Sequence, residues 1–333
     1  MKWLCVNGEG VQSSLKKLKG LETARSLQPM YHKPVMLAEC LEGLKVNPAG
    51  TYVDVTFGGG GHSLKILEQL KGGRLIAFDQ DEDAKRQSEN IQSRSFTFCQ
   101  ANFKYLKQYL KLNNVTKVDG VLADLGISSH QIDTPERGFS TRFNGPLDMR
   151  MDKKSAFTAA KILNEYQPEK LHKILGMYGE VRNAKTVAAA IEQERAVREF
   201  ESNMDLIKIL KPLSPRGKEF KYYAQVFQAL RIEVNQEMEA LESLLKQCGE
   251  VIKTGGRLVV ISYHSLEDRM VKNYINTGKA FGDLEKDFYG NPIKPFQTVN
   301  RKPMEASEEE VRENNRARSA KLRVAERMIN EDE

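Results

Sequence analysis

Residues 51–63 read T-Y-V-D-V-T-F-G-G-G-G-H-S, and this stretch decides the fold. Its first half is rich in β-forming residues, its glycine cluster predicts a tight turn, and residues 63–70 continue with helical spacing. Residues 74–79 then form a second short apolar run. The order strand, glycine turn, helix, strand predicts a βαβ unit with two parallel strands.

Three further apolar runs extend this predicted sheet. They are residues 96–99, 118–124 and 257–263. Each run is too short for a core helix, so five strands in a parallel α/β sheet are the simplest interpretation. The apolar stripe from Val234 to Ile252 predicts one long helix that Gly255 and Gly256 end. Residues 319–326 alternate basic and apolar side chains, which predicts a half-exposed strand near the end of the chain.

The connection between the fourth and fifth predicted strands is far longer than an ordinary crossover. Residues 135–215 contain several helical stretches of their own, so we expect an inserted all-helical subdomain that recognises the substrate. The core then comprises residues 31–134 and 216–333. Residues 1–30 show no sustained periodicity and predict a loose extension, and one hypothesis is that translation begins naturally at Met30.

Composition places the chain among ordinary globular proteins. Of 333 residues, 40% are hydrophobic and 29% charged, and the net charge of +6 permits an anionic partner without requiring one. The four cysteines lie far apart, so the sequence predicts neither a disulfide framework nor a metal site. No apolar run approaches the roughly 18 residues of a spanning helix, and no signal-peptide layout is present. These features predict a cytoplasmic protein without a membrane partner.

The glycine loop and the acid that follows it predict a nucleotide-like ligand. Glycines let a ligand lie against the backbone, and the helix that follows offers free N–H groups. Asp79 comes 18 residues after Gly61, close to the spacing of about 20 for an acid that binds a ribose. A glycine cluster alone is often only a flexible turn, but the strand, helix and acid together favour a ligand site.

The form of the loop distinguishes two adenosine-containing cofactors. The pyrophosphate fingerprint G-x-G-x-x-G is absent, which disfavours NAD. S-adenosylmethionine carries no phosphate, and its carboxylate would meet the helix start near Gly60, Gly61 and His62. Phe103, just after the third strand, would cover the adenine. The alternatives are a capping or packing role for His62 and an ordinary core position for Phe103.

Asp124 ends the fourth predicted strand, in the run D-L-G-I-S-S-H-Q. In open α/β sheets ligands bind at the carboxyl ends of the strands, so Asp124 is expected in the same pocket. A helix cap or a loop-organising acid is the alternative.

Long runs of this sequence resemble the bacterial 16S ribosomal RNA cytosine-N(4) methyltransferases, the RsmH/MraW family. The similarity extends over nearly everything from Tyr31 onward. Besides the glycine loop, it is carried by Y-H-K-P-V-M-L (31–37), A-F-D-Q-D (77–81), A-D-L-G-I-S-S (123–129), E-R-G-F-S (136–140), G-P-L-D-M-R-M-D (145–152), F-Q-A-L-R-I-E-V-N (227–235), S-Y-H-S-L-E-D-R (262–269) and R-A-R-S-A-K-L-R (316–323). Residues 1–30 and 221–225 depart from the family pattern.

This resemblance implies a Rossmann-like class I S-adenosylmethionine methyltransferase core with an inserted helical subdomain. It implies methyl transfer to the exocyclic N(4) amine of a cytosine in 16S ribosomal RNA, free or in the small ribosomal subunit. The cofactor would be bound by Gly60, Gly61, His62, Asp79, Phe103, Asp124 and Gln131.

The implied reaction suggests roles for polar residues near the cleft. Asp124 would accept a hydrogen bond from the cytosine amine, and the base would be flipped into the pocket. Arg137, Arg142 and Arg150 are candidate phosphate contacts, against the alternative of a structurally fixed loop. His264 is at least as well explained by a structural role as by a catalytic one.

Three other functions stay open on the residues alone. They are an NAD(P)-linked oxidoreductase, a non-catalytic RNA-binding assembly factor, and a methyltransferase of the same fold that acts on DNA or a small molecule. The sequence also leaves open whether the chain forms a homodimer and which cytosine is modified.

Overall fold

A computed structural model describes residues 33–329. The extension predicted for residues 1–30, with the start hypothesised at Met30, lies outside the described residues. The strands are β1 (Thr51–Asp54), β2 (Arg74–Asp79), β3 (Phe96–Gln100), β4 (Val118–Asp124), β5 (Ile252–Ser262), β6 (Phe296–Thr298), β7 (Met304–Glu305) and β8 (Lys321–Arg327). The helices are α1 (Leu37–Leu44), α2 (Gly61–Gln69), α3 (Glu82–Ser88), α4 (Leu106–Leu112), α5 (Ser129–Asp133), α6 (Ala159–Glu165), α7 (Pro168–Gly179), α8 (Ala184–Arg195), α9 (Asn203–Leu210), α10 (Glu219–Asn235), α11 (Glu237–Val251), α12 (Ser265–Thr277) and α13 (Glu308–Glu313).

The strands form one mixed sheet in the order β3-β2-β1-β4-β5-β8-β6, with β7 also paired to β8. Strands β1 to β5 run parallel, as predicted. Strand β8 is antiparallel to β5, β6 and β7, so the predicted sheet is the larger part of a mixed one. The order reverses between β1 and β4, and such a switch point opens a crevice at the carboxyl ends of the strands.

Both faces of the sheet are covered, which explains why its strands read as short, continuous apolar runs. On one face Val53, Ile76 and Val121 join the hydrophobic cluster that includes side chains of α4, α11 and α12. On the other face Leu75 and Leu122 join a cluster that includes α1 and α2. The architecture is therefore α/β and Rossmann-like. Among residues 33–329 no helix combines the length and the apolar composition needed to cross a bilayer.

Helices α6 to α9 lie between β4 and β5 and share a hydrophobic cluster of their own. That cluster also contains Tyr222, Val226 and Leu230 of α10, so the packing extends past the boundary predicted at residue 215. The division into a core and an inserted subdomain of residues 135–215 stays our proposal, with α10 as the element that both parts share.

The long helix predicted for residues 234–252 is confirmed over Glu237–Val251 as α11, but its predicted start is wrong. Helix α10 ends at Asn235, Gln236 adopts a left-handed conformation with φ of 50°, and α11 begins at the next residue. The apolar spacing continues across this break, so periodicity could not reveal it. Gly255 has φ of +75° inside β5 and does not end a helix, since α11 ends at Val251.

The strand predicted for residues 319–326 is β8. Arg323 on its basic face is not exposed to solvent. This side chain is 7% exposed and donates to the Asp268 carboxylate at 2.7 Å. The strand is mostly buried, where the sequence predicted half exposure.

Candidate active site

The glycine loop turns between the end of β1 and the start of α2. Gly58 and Gly60 have φ of +52° and +79°, which glycine adopts without strain. A Cβ on Gly60 would lie 2.7 Å from the Phe57 ring, and one on Gly61 would lie 2.3 Å from Pro34 Cγ. A Cβ on Gly59 would meet nothing within 4 Å. One side of the loop is therefore packed on protein while Gly59 borders open space.

Asp79, at the carboxyl end of β2, is hydrogen bonded to this loop. Its Oδ2 accepts the Gly58 N–H at 2.8 Å and its Oδ1 accepts the Asp81 N–H at 2.9 Å. Each carboxylate oxygen keeps a further lone pair for a ligand hydroxyl. Burial raises the pKa of Asp79 to about 6, against the effect of these two N–H donors.

Two hydrogen bonds hold the end of β1 against α2 and the segment after β1 against the end of β4. Asp54 accepts the Ser63 hydroxyl at 2.7 Å, and burial raises the pKa of this carboxyl. Thr56 Oγ1 accepts the Asp124 N–H at 2.7 Å. The backbone around Asp124 is thus held against the loop at the switch point.

The Asp124 carboxyl lies between two ring-bearing side chains. The Tyr263 hydroxyl donates to Oδ1 at 2.7 Å, and His62 Nδ1 lies 3.8 Å from Oδ2. Burial raises the pKa of Asp124 to about 6, while His62 and the Tyr263 hydroxyl act to lower it. The side chain keeps 23% of its exposure, so a ligand in the cleft can reach it.

The His62 ring is oriented by a backbone carbonyl. Its Nε2 lies 3.0 Å from the Val35 oxygen. A carbonyl only accepts hydrogen bonds, so Nε2 carries the hydrogen in this contact. The residue is 6% exposed, and its Nδ1 faces Asp124. Direct contact between His62 and a cofactor stays a prediction.

Gln131 is 4% exposed and its side-chain amide is hydrogen bonded within the protein, so its direct contact with a cofactor stays a prediction. Its Oε1 accepts the Ser128 N–H at 3.0 Å in a capping box at the start of α5. Its Nε2 donates to Asp81 Oδ2 at 2.7 Å, the oxygen that Arg137 also contacts at 2.7 Å. Because the Asp81 N–H orients Asp79, Gln131 is linked to the predicted ribose acid through Asp81.

Phe103 begins a 3₁₀ turn (Phe103–Tyr105) after β3 and packs partly buried against the core. Its neighbours Asn102 and Lys104 line a cavity of about 390 Å³ that also includes Gln80, the residue after Asp79. The structure thus gathers the loop glycines, His62, Asp79 and Asp124 at the carboxyl ends of β1, β2 and β4. Phe103 lies in the turn after β3, and Gln131 is linked to Asp79 through Asp81.

Two of the three arginines predicted to contact phosphate are paired within the protein. Arg137 is 4% exposed and contacts the carboxylates of Asp81 and Asp83. Arg150 donates to the Asp148 carboxylate at 2.7 and 2.8 Å. That expectation is wrong for Arg137, because its side chain is buried and its positive charge is neutralised. Arg150 is partly exposed, and its contact with phosphate stays a prediction. Arg142 is exposed and forms no ion pair within residues 33–329.

Sequence reasoning assigned no role to Tyr263, which the structure places beside Asp124. One feature of the sequence indicates a role for Tyr263 in the site, namely its position directly after the carboxyl end of β5. Pairing of its hydroxyl with Asp124, 139 residues away, depends on the β4–β5 register and is invisible in a local motif.

His264 is the N-cap of α12 in a capping box with Glu267, which supports its structural interpretation. With Glu237 these residues form a group of side chains that could hold a metal ion. However, the Arg231 guanidinium donates to both carboxylate oxygens of Glu237, at 2.8 and 2.9 Å. A built-in cation therefore already neutralises that carboxylate.

Comparison with known proteins agrees with this geometry. The family model described as the MraW methylase family matches residues 29–328. A ribosomal RNA small subunit methyltransferase H from Cytophaga hutchinsonii is 61% identical over 298 residues, which are 90% of this chain and all of that protein. Proteins of the same name from Amoebophilus asiaticus and Bacteroides thetaiotaomicron are 52% and 53% identical, over 89% of this chain and 96% and 97% of theirs.

The matched residues 29–328 span the glycine loop and the ends of β2 and β4 that form the crevice. The chain belongs to the MraW methylase family.

Proposed function

We propose that this chain transfers a methyl group from S-adenosylmethionine to the exocyclic N(4) amine of a cytosine in small-subunit ribosomal RNA. The proposal depends above all on one observation. At the switch point, the acid suited to a ribose, Asp79, and a second reachable acid, Asp124, border the same glycine loop. The names of the relatives add the substrate, and a ribosomal substrate favours a cytoplasmic location.

The charges around the crevice suit this donor. Asp54, Asp79 and Asp124 surround the loop, and burial raises the pKa of all three. Such carboxyls are stabilised in their ionised form by a nearby cation. S-adenosylmethionine supplies a sulfonium methyl group and carries positive charge on its sulfur and its amine. The open side of the loop at Gly59 leaves room for a ligand against the backbone.

The acceptor amine needs help because its lone pair is delocalised into the cytosine ring. We propose that Asp124 accepts an N–H of this amine and aims the lone pair at the methyl group. The Tyr263 hydroxyl holds Oδ1, so Oδ2 is the oxygen available to the base. As the N–C bond forms and the S–C bond breaks, the nitrogen loses one proton. A carboxyl with a pKa of about 6 can receive that proton near neutral pH.

A methyl-transfer assay tests the proposal. The purified chain is incubated with tritiated S-adenosylmethionine and small subunits, or protein-free 16S ribosomal RNA, from a strain that lacks this protein. We expect label in the RNA at N(4) of a cytosine that is unmethylated in that strain. Absence of transfer to both substrates, or label on another atom, would contradict the proposal.

A further inference from the structure

Six exposed basic side chains lie on the inserted helices and on the segment that leads into α10. We call them the basic rim: Arg182, Lys185, Lys211, Arg216, Lys218 and Lys221. None of the six forms an ion pair with an acid of residues 33–329, in contrast to the paired Arg137 and Arg150. Their positive charge is therefore available to an external anion.

Two hydrogen bonds bring the three segments that carry the basic rim together. Asn183 Nδ2 donates to the Leu213 carbonyl at 3.3 Å, and the Tyr222 hydroxyl donates to Asn183 Oδ1 at 2.9 Å. Asn183 lies between Arg182 and Lys185. Leu213 comes two positions after Lys211, and Tyr222 comes directly after Lys221. The three segments that carry the six charges thus lie beside one another, although 39 positions separate Asn183 from Tyr222.

Further contacts connect this region to the mouth of the crevice. Gln225 Nε2 donates to the Glu180 carbonyl at 3.4 Å, and the Ser265 hydroxyl donates to Glu180 Oε1 at 2.8 Å. Ser265 comes two residues after Tyr263, whose hydroxyl holds Asp124. Arg182 in turn comes two residues after Glu180. The basic rim therefore begins beside the entrance to the site where the base would be methylated.

The surroundings of the basic rim suit a nucleic acid. Phe220 is 77% exposed between Lys218 and Lys221, where an unpaired base can stack on it. The nearby acid Glu219 accepts the Gly217 N–H at 2.9 Å. Helices α8 and α10 both begin next to the basic rim without a side-chain cap. The positive ends of their helix dipoles therefore add to its positive electrostatic potential.

We propose that the basic rim binds the phosphate backbone of the ribosomal RNA and guides the strand that carries the target cytosine into the crevice. This inference rests on the proposed function, because it takes ribosomal RNA as the substrate. Direct contact with phosphates predicts strong salt dependence, since each neutralised phosphate releases a condensed counterion.

The test compares two triple variants of the full chain. The first is Lys211→Gln, Lys218→Gln and Lys221→Gln. The matched control is Lys71→Gln, Lys111→Gln and Lys246→Gln, three exposed lysines without an ion pair in the described part of the chain. Lys71 and Lys111 lie before the amino ends of β2 and β4, and Lys246 lies on α11, so none of the three belongs to the segments that carry the basic rim. Affinity for the RNA or subunit that accepts methyl is measured between 50 and 300 mM salt.

We expect the first variant to bind about 10- to 50-fold more weakly near 150 mM salt and to lower the slope of log K against log salt by about 2. Its KM for RNA rises, while its affinity for S-adenosylmethionine and its thermal melting stay at wild-type values. The corresponding Lys→Arg triple variant keeps the wild-type slope, and the control changes less than about threefold.

Equal effects of the two Gln variants, or no effect of the first, would overturn the inference that the basic rim binds RNA. The proposed function would still stand in that case, provided that the wild-type chain methylates the RNA. Failure of the wild-type chain to methylate either RNA substrate would overturn the proposed function itself.

Discussion

The Tyr263 hydroxyl donates a hydrogen bond to Asp124 Oδ1 at 2.7 Å and so joins the ends of β5 and β4 at the floor of the crevice. Charged or titratable groups near this carboxyl are Asp54 at the end of β1, His62 of α2 and Glu267 of α12, and burial raises its pKa to about 6. Tyr263 is thus placed to control both the orientation and the ionisation of Asp124.

Replacement Tyr263→Phe removes the hydrogen bond that favours the ionised carboxyl. We expect the pKa of Asp124 to rise by about one unit, because a hydrogen bond to a charged group contributes about 1.5 kcal/mol. The acidic limb of the pH–rate profile should move to higher pH by the same amount. Tyr166→Phe, which removes a 2.7 Å bond to Glu233 in the inserted helices, is the control. An unmoved acidic limb in Tyr263→Phe would contradict this role.

Replacement Asp124→Asn keeps the shape of the side chain and removes its charge. We expect kcat to fall by about 100-fold or more, since general-base and positioning effects are typically that large. The affinity for S-adenosylmethionine should change much less, as calorimetry can measure. Wild-type turnover in this variant would rule out Asp124 as the acceptor of the amine proton.

Cofactor affinity should depend on pH near 6. Asp79 and Asp124 both have a pKa raised to about 6, and Asp79 is the acid that we expect to bind the donor in its ionised form. Affinity should therefore increase as pH rises through 6 and level off near 7.5, by about tenfold per pH unit on the acidic side through Asp79. Calorimetric titration from pH 5 to 7.5 measures this, and a flat profile would contradict it.

The same shifts have the opposite effect on the ligand-free protein. Between the unfolded pKa near 4 and the folded pKa of about 6, the folded state holds more protons than the unfolded state. The contribution of these two carboxyls to the free energy of unfolding should therefore decrease as pH rises from 4 to 6.

Replacement Arg137→Gln should destabilise the loop that follows α5. It leaves buried Asp81 without its cationic partner, and breaking a buried ion pair costs about 3 to 5 kcal/mol in the free energy of unfolding. Arg86→Gln is the matched control. Arg86 contacts Asp83, as Arg137 also does, but the Arg86 side chain is 67% exposed. Its effect should stay within about 0.5 kcal/mol. Equal urea midpoints for the two variants would contradict this role for Arg137.

Two glycines of the loop should respond differently to alanine. Gly61→Ala places a methyl group 2.3 Å from Pro34 Cγ, and such overpacking costs about 1 to 3 kcal/mol of stability. Gly59→Ala meets open space, so its thermal melting should match the wild type. If the cofactor lies along this side, Gly59→Ala weakens its binding about 5- to 150-fold through the same steric cost. Unchanged cofactor affinity in Gly59→Ala would place the ligand elsewhere.

Much of the fold is predictable from local pattern. The strands at residues 74–79 and 118–124 have the predicted bounds, because buried parallel strands require short apolar runs. The break at Gln236 was missed, since a left-handed residue can interrupt a helix while the apolar spacing continues. The pairing of Arg137 with Asp81 was missed as well, because an arginine in a polar loop looks the same whether its partner is a phosphate or a buried carboxylate.

The sequence by itself determined the α/β class, the glycine loop, and the acids at the ends of β2 and β4, since each depends on the spacing of residues within one short segment. Only the tertiary structure decided which partners those acids have. Tyr263 reaches Asp124, and Gln131 reaches Asp81, through strand register and helix packing that bring distant segments together. Burial by these neighbours then raises the carboxyl pKa values, and burial is a property of the folded chain that no local motif contains.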